Sequence, residues 1–137
     1  MANPMQLDIL EQGINAWNNW RNQNPSIIPD LSSANLRMRD LKNVNFSNTD
    51  LFMTDLSEAD LTKANLCNTH LGTTRFYETI LKRASICDSN LENVDLGGCD
   101  LRHVNFCNSN LRRANLNGTE DLCIFIFVVQ QEQLLVN

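Results

Sequence analysis

Between residues 30 and 118 a large apolar side chain returns at every fifth position. The series runs Leu31, Leu36, Leu41, Phe46 and Leu51, continues unbroken through Phe76 and Ile86, and ends at Phe106, Leu111 and Leu116. All eighteen positions from 31 to 116 are filled, so the repeat must be read before any helix or strand pattern. A period of five matches neither the 3.6-residue helix nor the two-residue strand. Within each unit, however, a local alternation exists. Two residues before the apolar centre stands a small residue, such as Ala34, Val44, Thr54, Ala64 or Cys99; one residue before it stands Asp or Asn in fourteen of the eighteen units. Small inward, polar outward, large inward is strand alternation over three residues. The two residues that follow are mostly polar or glycine and suit a corner. Such short sides bury their leucines only by coiling and stacking turn on turn, with coils about 4.8 Å apart. Each buried leucine contributes roughly 1.5–3 kcal/mol before entropy. The pattern predicts an all-β solenoid. Cys67, Cys87 and Cys107 recur at twenty residues and argue for four sides; Phe46, Phe76 and Phe106 recur at thirty and fit three.

The flanks differ from the repeat. Residues 1–24 predict a helix, with Asn3 as N-cap, Pro4 in the first turn and an end before Pro25. Its stripe of Leu7, Leu10, Ile14, Trp17 and Arg21, with Trp20 alongside, suits a helix laid over the open end of a solenoid. Residues 1–29 are therefore read as a capping helix and linker, 30–118 as the repeat, and 119–137 as an apolar segment and tail. Cys123 to Val129 reads as a buried strand that closes the lower end or pairs with a second copy to form a homodimer. Arg39 takes an inward small-residue position, where a lone guanidinium would be costly; either the first coil is splayed there or Arg39 pairs with Asp8, Glu11 or Asp40. Phe52 and Met53 occupy a corner and form a candidate apolar patch, with contact to the N-terminal helix as the simpler role.

Composition narrows the function. The formal charge of −5 is uneven: residues 30–118 hold ten Lys or Arg against eleven Asp or Glu, and the last nineteen residues add −3. No apolar run is long enough to span a bilayer and no signal peptide is apparent, so no membrane partner is expected. Five cysteines without close pairing suit reduced thiols in the cytoplasm. No phosphate loop, nucleophile elbow or zinc motif is present, and His70 and His103 are the only histidines. We therefore expect no enzyme, no catalytic or metal site and no cofactor.

Ala34-Asn35-Leu36, Ala59-Asp60-Leu61, Ala64-Asn65-Leu66 and Ala114-Asn115-Leu116 resemble the A(D/N)LXX motif of the pentapeptide-repeat family over about two-thirds of the chain. The resemblance implies a right-handed, four-sided β-helix, here of about four to five coils. It also implies a bacterial scaffold acting through protein contacts, its partner unidentified. A regulatory role in a photosynthetic bacterium is a further implication. Some family members imitate duplex DNA and bind topoisomerases of the gyrase type. That role is the alternative, disfavoured because mimicry needs a markedly acidic rod and these repeats are near neutral. On four sides, one side collects Lys42, Lys63, Lys82, Arg83, Arg102 and His103 beside Asp40, Asp60 and Asp100, which offset its field. Nucleic acid is thus an unlikely partner, the more so without a row of aromatics. The next side stacks Cys67, Cys87 and Cys107 as small thiols. The four units lacking Asp or Asn before the centre carry His70, Arg75, Ile80 and Ser85, one whole circuit. With Tyr77, Glu78, Lys82 and Arg83 they form a candidate interaction band, set against ordinary surface drift.

Overall fold

A computed structural model describes residues 1–119, and these form a short helical pair followed by a coiled stack. Parallel bridges join Asp30 to Asp50, Asn35 to Asp55, Asp40 to Asp60 and Asn45 to Asn65, and the series continues to Asp95 and Asn115. Every bridge spans twenty residues, so four five-residue units make one circuit and the coil is quadrilateral. The first side is centred on Leu31, Leu51, Leu71, Leu91 and Leu111; the second begins at Leu36, the third at Leu41 and the fourth at Phe46. The thirty-residue interval of Phe46, Phe76 and Phe106 is then one and a half circuits. It places the rings alternately on opposite sides of the core, and all three are fully buried. Each side pairs through one residue, the predicted outward residue before each centre.

The predicted inward residues are buried as a set. All eighteen centres from Leu31 to Leu116 are at most 1 % exposed. The small residues two positions earlier fill the space between them, and where they carry hydroxyls those are satisfied. Thr54 Oγ1 donates to the Leu31 carbonyl at 2.8 Å, Thr74 to Leu51 at 2.7 Å and Thr79 to Leu56 at 2.9 Å. Cys99 Sγ donates to the Phe76 carbonyl at 2.8 Å, and burial pushes its thiol up to about 12.

Corners are closed by two hydrogen bonds. The first is the turn bond, such as Ala34 N to Leu31 O at 3.1 Å or Ala64 N to Leu61 O at 2.9 Å. The second explains the Asp/Asn rule. The side-chain Oδ1 before each centre accepts from the amide just after it: Asp30 from Ser32 at 2.9 Å, Asn65 from Cys67 at 3.0 Å, Asp95 from Gly97 at 2.9 Å. Asp and Asn carry a carbonyl oxygen at the side-chain length that this two-residue loop favours. The second corner residue has positive φ, between 53° and 61° at sixteen non-glycine positions, among them Asn48, Asn68, Asp88 and Asn108. A positive φ at the third residue marks a type II turn. Non-glycine residues there cost about 1 kcal/mol or more each. The cost is offset because their amides reach the next coil, as Asn48 N does to Cys67 O at 3.0 Å.

The single helix predicted over 1–24 is instead two: α1, Pro4–Glu11, and α2, Ile14–Gln23. Gly13, at φ 109°, breaks it in a conformation that disfavours other residues. Asn3 caps α1 as expected, its Oδ1 accepting from Met5 N at 3.0 Å. The stripe faces the first circuit. Trp17 is fully buried, donates Nε1–H to Asn45 O at 2.8 Å and meets Phe46 edge-on at 5.6 Å. Asn18 brackets the same corner, donating to Asn43 O at 3.0 Å and accepting from Asn45 N at 2.8 Å. Buried Arg21 donates to Ile27 O and Ser47 O, each at 2.9 Å. Arg39 is not inward. Its side chain turns out to Glu11 of α1 at 2.5 Å, and that guanidinium holds the Glu11 carboxyl below its usual range.

Two expectations follow. Asn65→Ala, which removes the acceptor for Cys67 N, should cost about 1 kcal/mol, against about 2–5 kcal/mol for Leu66→Ala. Chemical denaturation gives both, and amide exchange should show the Asn65 loss centred on Cys67. The second concerns acid. Asp30 and Asp100 are held below the ordinary 3.8, chiefly by hydrogen bonds from Ser32 and Arg102. Asp55 and Asp60 are also lowered; burial opposes this, and bonds from Ser57 and Thr62 outweigh it. A depressed folded value stabilises the fold above the unfolded value and loses that stabilisation as pH falls through the folded one. The melting temperature should therefore hold between pH 5 and 7 and fall below about pH 4. A melting temperature that is flat down to pH 2 would contradict this.

Candidate interaction surface

Because the centres and small residues are committed to the core, only three positions per unit face outward. The residue before the centre and the two corner residues form vertical files on each side. Fourteen units place Asp or Asn in the first file and use it for the corner bond. The units at His70, Arg75, Ile80 and Ser85 do not make that bond, and they lie on four successive sides of one circuit. At the fourth, Cys87 N turns to Cys67 Sγ at 3.4 Å instead.

The band residues do not converge at one point. His70 lies on the first side, Arg75, Tyr77 and Glu78 on the second, Lys82 and Arg83 on the third. His70 Nδ1 is 3.1 Å from Asp50 Oδ1, one coil above. Phe52 stacks on the His70 ring at 5.2 Å and 19°, and it also lies over Gly72, where a Cβ would come within 3.2 Å of the ring. The apolar patch of Phe52 and Met53 is thus continuous with His70, a link the linear spacing does not display. Both side chains stay exposed, Met53 at 56 %. A groove of about 510 Å³ adjoins them, lined by Pro25, Ile27, Ile28, Asn48, Asp50 and His70.

On the second side Arg75 reaches Asp55 at 3.7 Å, and exposed Tyr77 has its hydroxyl pushed up by neighbouring Glu78. A second groove, about 300 Å³, runs past Ser57, Thr73, Arg75, Tyr77, Asn93 and Asp95. On the third side Lys42 Nζ is 3.2 Å from both Asp40 and Asp60. Arg102 donates Nε–H to Asp100 Oδ1 at 2.8 Å. Of the basic stripe, Lys42 and Arg102 are thus held by its own aspartates, whereas the Asp file breaks at Ile80, which is 39 % exposed. Ile80 marks the break of the Asp file in the sequence, and its apolar exposure emerges only with the fold.

The fourth side carries Cys67, Cys87 and Cys107 as free thiols. Burial, then the neighbouring Cys67, pushes the Cys87 thiol up to about 11, so it is a poor nucleophile at neutral pH. Among the described residues no group of three or more His, Cys, Asp or Glu could hold a metal ion, and no helix is long and apolar enough to cross a membrane. The segment 123–129 lies outside the described residues.

Comparison with known proteins places these features. No curated protein matches the sequence. Among solved structures, the pentapeptide repeat protein alr5209 of Nostoc PCC 7120 is 27 % identical over 74 % of this chain and 72 % of its own, with a TM-score of 0.49. A pentapeptide repeat protein of the Arabidopsis thaliana thylakoid lumen is 23 % identical, over 63 % of each chain, with a TM-score of 0.38. QnrB1, a plasmid-mediated fluoroquinolone resistance protein, is 15 % identical over 66 % of this chain and 61 % of its own, with a TM-score of 0.30. The family model for pentapeptide repeats matches residues 30–66, 54–93 and 89–120. With the five-residue register and twenty-residue bridges already in hand, that match makes this chain a member of the pentapeptide repeat family.

Proposed function

We propose that this chain is a non-enzymatic scaffold that binds a protein partner, built as a right-handed, four-sided β-helix of about four and a half coils and closed at its N-terminal end by the α1–α2 pair. The observation that carries the reading is the circuit through His70, Arg75, Ile80 and Ser85. Elsewhere the first outward file is committed to corner bonds. On this circuit the same file is released, and an imidazole, a guanidinium and an apolar side chain stand where structural Asp or Asn would be. A stiff solenoid with files of outward side chains presents extended surfaces to a partner.

The near balance of charge in residues 30–118, ten cations against eleven anions, does not support imitation of duplex DNA, whose charge is dense and of one sign. Free thiols in the described residues suit a reducing compartment, and a cytoplasmic location is part of the same proposal. Pairing of two copies through residues 123–129 belongs to the same proposal and is read by light scattering.

The test is affinity capture from the native host, comparing the wild type with a variant carrying His70→Ala, Arg75→Ala and Tyr77→Ala, both checked for folding by circular dichroism. At least one partner should be lost or strongly reduced in the variant. Recovery of the same partners in equal amount would end the band reading. A gyrase supercoiling assay should show no inhibition; inhibition at micromolar protein would favour the topoisomerase-binding alternative.

A further inference from the structure

On the third side the file before each centre reads Asp40, Asp60, Ile80, Asp100. Bridges from Asp60 to Ile80 and from Ile80 to Asp100 make Ile80 the missing rung of a carboxylate ladder. The cations beside the intact rungs are engaged: Lys42 sits between Asp40 and Asp60, and Arg102 takes Asp100 through Nε at 2.8 Å and a terminal nitrogen at 2.5 Å. Beside the missing rung they are not. Lys63 N donates to Lys82 O, and Arg83 N to Arg102 O, both at 2.9 Å, which stacks Lys63, Lys82 and Arg83 on adjoining corners. Lys63 and Arg83 form no ion pair among the described residues. Lys82 acts only at a distance on Asp100, which Arg102 already holds.

Aspartate at position 80 would gain a corner bond to Lys82 N and supply a counter-charge. Isoleucine forgoes both and exposes apolar surface. A site where the local rule fails without a compensating contact marks function in preference to folding.

We propose that this gap is the docking point for an acidic stretch of the partner protein that carries an aliphatic side chain, with carboxylates meeting Lys63, Lys82 and Arg83 and the aliphatic group packing on Ile80. The proposal rests on the protein-binding reading and names the partner's chemistry. A nucleic acid fits less well. Its continuous phosphate backbone would run onto Asp60 and Asp100, one coil away on either side, and Ile80 offers phosphate nothing. Among the described residues the third side also has no Phe, Tyr or Trp on which a base could stack. A short acidic segment needs only the width of the uncovered rung.

The probe is a labelled peptide of alternating glutamate and leucine, titrated against the full chain at low salt by fluorescence anisotropy. Saturable binding should weaken by about tenfold in Ile80→Asp and in the Lys82→Glu, Arg83→Glu pair. It should also weaken as salt rises. Arg112→Glu, on the first side, should bind as the wild type does. Ile80→Asp restores a corner bond, so its melting temperature should equal or exceed that of the wild type, which separates lost binding from lost folding. The assignment is overturned if Ile80→Asp binds the peptide as tightly as the wild type, or if a DNA duplex of equal charge binds more tightly than the peptide. It is also overturned if neutralising Glu120, Asp121 and Glu132 to their amides raises peptide affinity, which would make the chain's own acidic tail the occupant. If host capture succeeds while the peptide fails to discriminate, only this assignment falls. If the peptide discriminates but host capture shows no band-dependent partner, the scaffold reading falls and the acidic-ligand site stands.

Discussion

The fold depends on keeping every corner of a tightly wound backbone satisfied. A coil that turns every five residues creates a bend at each side, and each bend aims the amide of its first corner residue away from the next coil. The leucine column supplies the driving force, but burial alone is non-directional and would accept many collapsed shapes. Direction comes from the short carbonyl arm of Asp or Asn, which receives the amide two residues on, as Asn45 does for Ser47 at 3.1 Å. Core and corner are thus specified by adjacent residues. Asn35 sets the bend, Leu36 fills the axis, and Ala34 leaves room for the leucine.

The same economy explains why function is confined to few positions. Residues that fill the axis cannot touch a partner, and most of the first outward file is spent on corners. What remains free are the two corner positions and any unit released from the Asp/Asn rule. The middle circuit is the one place where all four sides are released together. Cys87 shows that a released corner can recruit another acceptor, here the sulfur of Cys67. Ile80 has no such substitute in its own side chain, which is why it stands out from the ladder.

Much of this architecture is written openly in the chain, because a five-residue beat involves only neighbours in sequence. Leu31 to Leu116, the small residues before them and the Asn3 cap could each be assigned without coordinates. What escaped depends on parts brought together by folding. The break at Gly13 was hidden because a glycine within an amphipathic stripe is compatible with a continuous helix. Gln6 gave no hint that its Oε1 would receive the Asp30 amide at 2.7 Å, since that need arises only at the exposed edge of the first coil. For Arg39 the sequence offers a splayed coil or a pair with Asp8, Glu11 or Asp40, and only the docked α1 selects Glu11. The band residues were found by what they lack, yet their separation by corners, and the stacking of Phe52 on His70, required the quadrilateral to be closed.

The twenty-residue circuit has an evolutionary corollary. Gain or loss of one whole circuit lengthens or shortens the rod while leaving every downstream residue facing its former direction. Gain or loss of one unit leaves the hydrocarbon column continuous but swings all later faces by about a quarter turn. Small indels in such a gene would thus be tolerated by the fold yet re-aim whatever the molecule grips, so that stability and partner choice can be inherited almost separately.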